Sequence, residues 1–201
     1  MMKPISAEDL LIYMNDSREK RMKLLNREYS LLPKNSPDWR LSRNFVPGEG
    51  PLDASVMLIG QAPGRKEDIT GRPFIGASGK LLDRLIELAG LERKEVYIAS
   101  TVQFFPPDNR MPTDREIGLC KGFLLGQISI IRPKAIVLMG SVACRAILGI
   151  GGISKERGNI VKRDGISYML SLHPAAAVRI RSRMPVMEAD FVKFGKSIRK
   201  L

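Results

Sequence analysis

The feature that most constrains this chain is a repeated alternation of short apolar runs with stretches of helical spacing. Residues 54–59 (ASVMLI) run into Gly60, residues 95–101 enclose VYIA, and residues 134–139 (KAIVLM) run into Gly140 and Ser141. Apolar runs of this length, bounded by turn residues, read as buried strands. Between them, residues 78–89 repeat apolar side chains at helical spacing and stop at Gly90. Residues 113–131 open on Thr113 with Glu116 three positions on, a capping box, and a further helix spans 141–148. Residues 160–161 and 166–172 flank Arg163-Asp164-Gly165, whose Asp-Gly pair signals a hairpin. A closing helix is expected over 185–201. Near the start, residues 5–30 carry helical spacing, with Ser6 as a cap and Glu8 and Asp9 in the first turn. Residues 31–53, rich in Pro, Gly, Ser and Asn, read as a loop.

Strands alternating with helices predict an α/β fold, a sheet covered on both faces. The expected organisation is one domain over 1–201, with 1–45 as a helical extension and loop. In such folds ligands bind at the carboxyl ends of the strands. That rule gathers three segments into one crevice: 60–64, 100–107 and 173–177.

Charge narrows the partner. The 201 residues carry a net +12, which points to a polyanion, nucleic acid first. No run of about 18 apolar residues occurs and the N-terminus is unlike a signal peptide, so a cytoplasmic, membrane-free protein is expected. The two cysteines, Cys120 and Cys144, and the single histidine, His173, are too few for a structural zinc site. Each cysteine reads as a small buried apolar residue.

Three segments can carry chemistry. Gly60-Gln61-Ala62-Pro63-Gly64 makes a tight turn with exposed amides and lacks the GxxxxGK[ST] pattern of a phosphate loop. Thr70-Gly71-Arg72-Pro73-Phe74-Ile75-Gly76 holds an aromatic ring between glycines and a proline, a flat wall on which a base can stack. His173-Pro174-Ala175 places an imidazole at a strand's end, followed by Arg179, Arg181 and Arg183. Each segment taken alone also fits an ordinary turn, a core phenylalanine or a satisfied histidine.

Together and in this order, these segments resemble the uracil-DNA glycosylase superfamily, and most of all its thermostable, iron–sulfur-containing family four. The likeness runs from about Val46 to Leu201. It includes Val46-Pro47-Gly48-Glu49-Gly50, Glu67-Asp68, Ser78-Gly79-Lys80-Leu81-Leu82-Asp83 and Pro106-Pro107-Asp108-Asn109-Arg110-Met111-Pro112. The resemblance implies a three-layer α/β/α sandwich around a four-stranded, mostly parallel sheet, and a base flipped from the DNA stack. It implies that Gly60, Ala62, Pro63, Gly64, Asp68 and Phe74 bind the base and sugar, with Phe74 stacking. His173, with Gln61 and Ser100, would form the catalytic set. Ser78, Pro174, Ala175, Arg179 and Arg181 would meet the DNA.

Three departures stand out. The family's cluster needs four cysteines, and only Cys120 stands at such a position; Phe104 occupies another. One thiolate does not hold a four-iron cluster, so no cluster, metal or other cofactor is expected. Gln61 replaces a family glutamate, and Ser100 replaces an asparagine that reads uracil's polar edge. The expected activity is that of a monofunctional DNA glycosylase acting on a deaminated base, uracil first, as a monomer with no obligate protein partner. Gln61 and Ser100 leave open the alternative of a relative that grips damaged DNA without cutting.

Overall fold

The structure, a computed structural model, describes residues 16–35 and 39–199. Five strands form one sheet: β1 (Val56–Gly60), β2 (Val96–Ser100), β3 (Ala135–Met139), β4 (Ile160–Arg163) and β5 (Ile166–Ser171), in the order β2-β1-β3-β5-β4. The first four in that order run parallel, and β4 joins antiparallel to β5. Every residue of β1, β2 and β3 is buried, which is why these strands appear in the sequence as continuous apolar runs.

The sheet thus has five strands where the resemblance implied four. The fifth comes from the hairpin: Asp164 and Gly165 both take left-handed conformations, φ 51° and 78°, as a two-residue primed turn requires. β4 is an edge strand, and its Lys162 and Arg163 are exposed, which discourages pairing with another chain.

Helices flank the sheet in two groups. α4 (Ala77–Leu88), α8 (Pro174–Arg179) and α9 (Met184–Ile198) contact one another, and α1 (Arg18–Ser30) lies along α5 (Asp114–Ile131). α6 (Ser141–Leu148) joins α5 through Val142 and Ala146, which share a buried cluster with Ile117 and Cys120. The capping box at Thr113 forms as expected: Thr113 Oγ1 accepts from Glu116 N at 3.3 Å and Glu116 accepts from Thr113 N at 2.8 Å. Arg110 also grips that carboxylate with two bonds, at 2.7 and 2.8 Å, and holds its pKa down to about 2.

The N-terminal helix differs from the single span expected over 5–30. Ser17 is extended and its hydroxyl accepts from Lys20 N at 3.3 Å, so α1 begins only at Arg18. A serine that caps stops a helix from continuing through it. Ser6, Glu8 and Asp9 lie outside the described residues. Within the expected loop over 31–53 a single helical turn, α2 (Leu32–Asn35), also forms. Three further short helices, α3 (Arg65–Thr70), α7 (Ile153–Glu156) and α8, fall where the sequence shows no periodicity. With four to six residues each, they are too short to display one.

The sheet's register sets up the site. Gly60 pairs with Ser100, and Thr101 ties the two strand ends through its N–H and hydroxyl to the Gly60 carbonyl at 2.9 and 2.7 Å. Gly140 N donates to Ser171 O at 2.8 Å, two residues before His173. Ser100, Gly60, Gly140 and His173 therefore follow one another along the carboxyl edge of β2, β1, β3 and β5.

Candidate active site

A cavity of about 470 Å³ opens at that edge, within the size range of small-ligand sites. Gln61, Ala62, Pro63 and Gly64 line it from the end of β1, Ser100 from β2, Phe74, Gly76, Ala77 and Ser78 from the turn into α4, and His173, Ala175, Ala176 and Arg179 from α8. Three distant chain segments foreseen from sequence thus meet in one place.

His173 is the N-cap of α8. Its Nδ1 accepts from Ala175 N at 3.2 Å, which satisfies one of the helix's open amides. An accepting Nδ1 carries no proton, so in the neutral ring the proton sits on Nε2. Nε2 is buried and has no hydrogen-bond partner among the described residues. It lies beside Gly60, where an added Cβ would stand 3.3 Å from it. Burial first, and the nearby Arg179 cation second, lower the pKa of His173 from 6.5 to about 4. The ring is neutral at physiological pH and offers one unused N–H donor.

Phe74 forms a second wall. Its ring stacks against His173, with centroids 5.7 Å apart and planes 27° apart. The ring also rests on Gly60, where any side chain would collide with it. Phe74 itself has φ +53°. For a bulky residue that conformation costs about 1–2 kcal/mol, and it persists only because its surroundings impose it. Glu67 is one such constraint. Buried within α3, it accepts from Gly64 N at 3.1 Å with one oxygen, and from Ile75 N and Gly76 N at 2.9 and 2.8 Å with the other. One carboxylate therefore staples the first loop to the Phe74 loop. Gly79 is another, because a Cβ there would overlap the Phe74 carbonyl.

Some expected site residues lie elsewhere. Gly60 is the floor beneath the rings rather than part of the cavity lining. Asp68 does not line the cavity: it accepts from Ser42 Oγ at 2.5 Å and Asn44 Nδ2 at 3.4 Å, fastening the 39–46 segment. The cause is helical geometry, since Glu67 and Asp68 are neighbours on α3 and face different ways. Pro174 is buried at the first position of α8, where a missing N–H is harmless. Arg181 sits in the turn 181–183 beyond the lining.

The structure adds Glu67, Arg65, Lys66, Asn109 and Met111 to the lining. Glu67 stands three residues after Gly64, where its carboxylate accepts from the N-cap amide, but Gly64 has no side chain to complete a capping box and so to flag it in the sequence. Asn109 and Met111 hang over the mouth from a turn in which Asp108 and Asn109 have φ 55° and 56°. Arg65, Lys66 and Arg179 make the rim basic.

Behind the first loop lies a second apolar cluster. Phe104 is fully buried there, edge-on to Trp39 at 4.7 Å and tilted against Phe45 at 5.6 Å, with Leu41, Val102 and Cys120 around it and Ala62 packed against it. Burial pushes the Cys120 thiol up to about 12. Cys144 is buried too, and its thiol points to the Leu138 carbonyl at 3.7 Å. No group of three or more His, Cys, Asp or Glu side chains that could hold a metal occurs among the described residues. Two separate thiols, both kept protonated, do not fit an iron–sulfur cluster.

Comparison with known proteins places the chain in a family. Residues 47–197 match the family described as Uracil DNA glycosylase superfamily. A Type-4 uracil-DNA glycosylase of Sulfurisphaera tokodaii is 42% identical over 165 residues, covering 77% of this chain and 75% of that protein. One of Thermotoga maritima is 42% identical over 142 residues, covering 69% and 74%. A Type-5 uracil-DNA glycosylase of Pyrobaculum aerophilum is 36% identical over 155 residues, covering 68% of each. With its motifs gathered around one cavity and most of its length matched, this chain belongs to the uracil-DNA glycosylase superfamily.

Proposed function

We propose that this DNA glycosylase takes a uracil, flipped out of DNA, into the cavity that Phe74 and His173 line and hydrolyses its N-glycosidic bond in base excision repair. The observation that carries this reading is the buried Nε2–H of the only histidine, without a partner among the described residues and fixed in its tautomer by Ala175 N, on a residue that lines the cavity beside an aromatic ring.

The chemistry follows from that donor. As the C1′–N1 bond breaks, its electron pair goes to the base and charge gathers on the O2 carbonyl oxygen. His173 Nε2–H donates to that oxygen, and the neutral ring needs no prior protonation to do so. The sugar is left as an oxocarbenium ion, which water captures to give an abasic site and a free base. Gln61 stands where a carboxylate would favour the cationic sugar, so catalysis here rests chiefly on positioning and on stabilising the departing base. Ser100, a donor and acceptor at the cavity wall, meets the base edge, and Phe74 stacks on its face. Ser78, Ala175 and Arg179 at the rim, and Arg181 in the turn beyond it, face the DNA backbone, in keeping with the net charge of +12. The reading needs no cofactor, and the protein acts as a monomer in the cytoplasm.

The neutral amide at position 61 favours a second reading, a damage sensor that binds without cutting. One experiment separates the two. An oligonucleotide with a single deoxyuridine, opposite G, opposite A or single-stranded, is incubated with the wild type and with His173→Ala, then treated with hot alkali. Strand breaks from the wild type that fall sharply in the variant establish the glycosylase. Binding without breaks, for uracil and then for hypoxanthine, establishes the sensor.

A further inference from the structure

A flat wall is useful only if it stands at the right angle, and Phe74 stands in a conformation its own side chain disfavours. The two peptide groups that define φ and ψ of Phe74 are those on either side of it. Both are gripped. Arg93, in the turn before β2, donates from Nη2 to the Pro73 carbonyl at 2.9 Å and from Nη1 to the Phe74 carbonyl at 3.2 Å. The same Nη1 meets Asp83 of α4 at 2.7 Å. The far end of the second peptide, Ile75 N, is held by Glu67 at 2.9 Å. Arg93 does not line the cavity, so it touches neither base nor sugar there.

We infer that Arg93 is a positioning residue for base capture, whose guanidinium fork holds Phe74 in its left-handed conformation and so sets the angle of the stacking wall. This inference rests on the reading of the cavity as a base pocket. The fork matters because its two nitrogens reach two successive carbonyls at once, which a single ammonium cannot do. Asp83 orients the guanidinium but contacts neither peptide, so its loss leaves both carbonyl bonds available. Strained backbone of this kind relaxes when one of its constraints is removed.

The test compares R93M, R93K and D83N with the wild type. Steady-state cleavage of the deoxyuridine oligonucleotide is read beside ¹⁹F NMR of substrate-free protein labelled with 4-fluorophenylalanine, the Phe74 signal being assigned with Phe74→Leu. R93M is expected to raise KM about tenfold, with kcat within about threefold, because stacking serves capture more than bond breaking. Its Phe74 signal moves or broadens while the other six phenylalanine signals stay. R93K falls between R93M and the wild type, and carries the same comparison should R93M not fold. D83N stays near the wild type. An unmoved Phe74 signal with unchanged KM in R93M overturns the inference, as does a loss that merely follows the fraction unfolded or that D83N reproduces in full. A wild type that releases no base removes the proposed activity, while the fluorine signals still decide whether Arg93 holds the wall.

Discussion

Ala62 has a different region on each side. Behind it, Trp39, Phe45, Phe104 and Phe123 form a chain of ring contacts in which no residue has a positive φ and the Trp39 N–H is satisfied by the Ser42 carbonyl at 2.9 Å. In front of it, the cavity is lined by a phenylalanine at φ +53° and a histidine whose buried N–H has no partner among the described residues. The first arrangement is what hydrophobic burial and dispersion produce when nothing else is asked of a sequence. The second stores strain and an open hydrogen bond, and the surrounding groups are spent on maintaining both. Glu67, Gly79 and Arg93 constrain Phe74, and Ala175 N fixes the histidine's tautomer. A left-handed aromatic and an open imidazole N–H side by side at one cavity are what the proposed function asks of this region and what the ring cluster has no use for.

Substitutions should divide along the same line. Phe104→Ala empties the middle of the ring cluster and is expected to destabilise the protein by about 3–5 kcal/mol, read as a lowered denaturation midpoint. Base release per folded molecule should stay close to normal. A pocket that dies with a still-folded Phe104→Ala protein would break the division. His173→Ala should do the reverse, lowering base release by about 10²–10³, as removal of one preorganised donor does elsewhere, with a stability loss smaller than that of Phe104→Ala, about 0.5–2 kcal/mol for the lost helix cap. Gln61→Ala should cost less than His173→Ala, and an equal or larger loss would move the centre of the chemistry to the first loop.

A smaller effect concerns acid. The folded protein binds no proton at His173 until pH about 4, whereas an unfolded histidine takes one near 6.5. Between those values the unfolded state holds more protons, so stability falls as pH falls. His173 alone contributes roughly 3 kcal/mol to that decline, and His173→Gln should flatten it in denaturant titrations at pH 7 and pH 4.5. Gly60→Ala, which would push on the Phe74 ring, should cost about 1–3 kcal/mol and weaken base capture. The smallest expected change is at the rim: Arg179→Ala should reduce the slope of log K against log salt by about one.

The ring cluster and the pocket were not equally legible. The strands could be read because burial on both faces forces continuous apolar residues, as in β1 and β3, and Asp164-Gly165 announced the hairpin through its backbone requirement. His173, Ser100 and the 60–64 turn were legible because strand ends in alternating folds converge, and Phe74 because it is an aromatic held between glycines and a proline. What sequence withheld was orientation. Glu67 and Asp68 are adjacent carboxylates, yet one staples the pocket loops and the other ties down the 39–46 segment, a difference of one step around α3. The short helices α3 and α8 gave no periodicity, and Asn109 entered the lining only through two consecutive left-handed residues that nothing in the composition of that turn required. Arg93 acts from outside the cavity on carbonyls that every residue possesses, so no motif could single it out.

The unused histidine donor can be examined without any substrate, because His173 is the only histidine in the chain. Protein labelled with ¹⁵N-histidine gives one imidazole, whose two nitrogens report both tautomer and charge as pH is varied. A proton on Nε2, a bare Nδ1 and no titration between pH 8 and pH 5 is the predicted result. A proton on Nδ1, or titration at the ordinary histidine value near 6.5, would contradict the role given to His173 at the centre of this site.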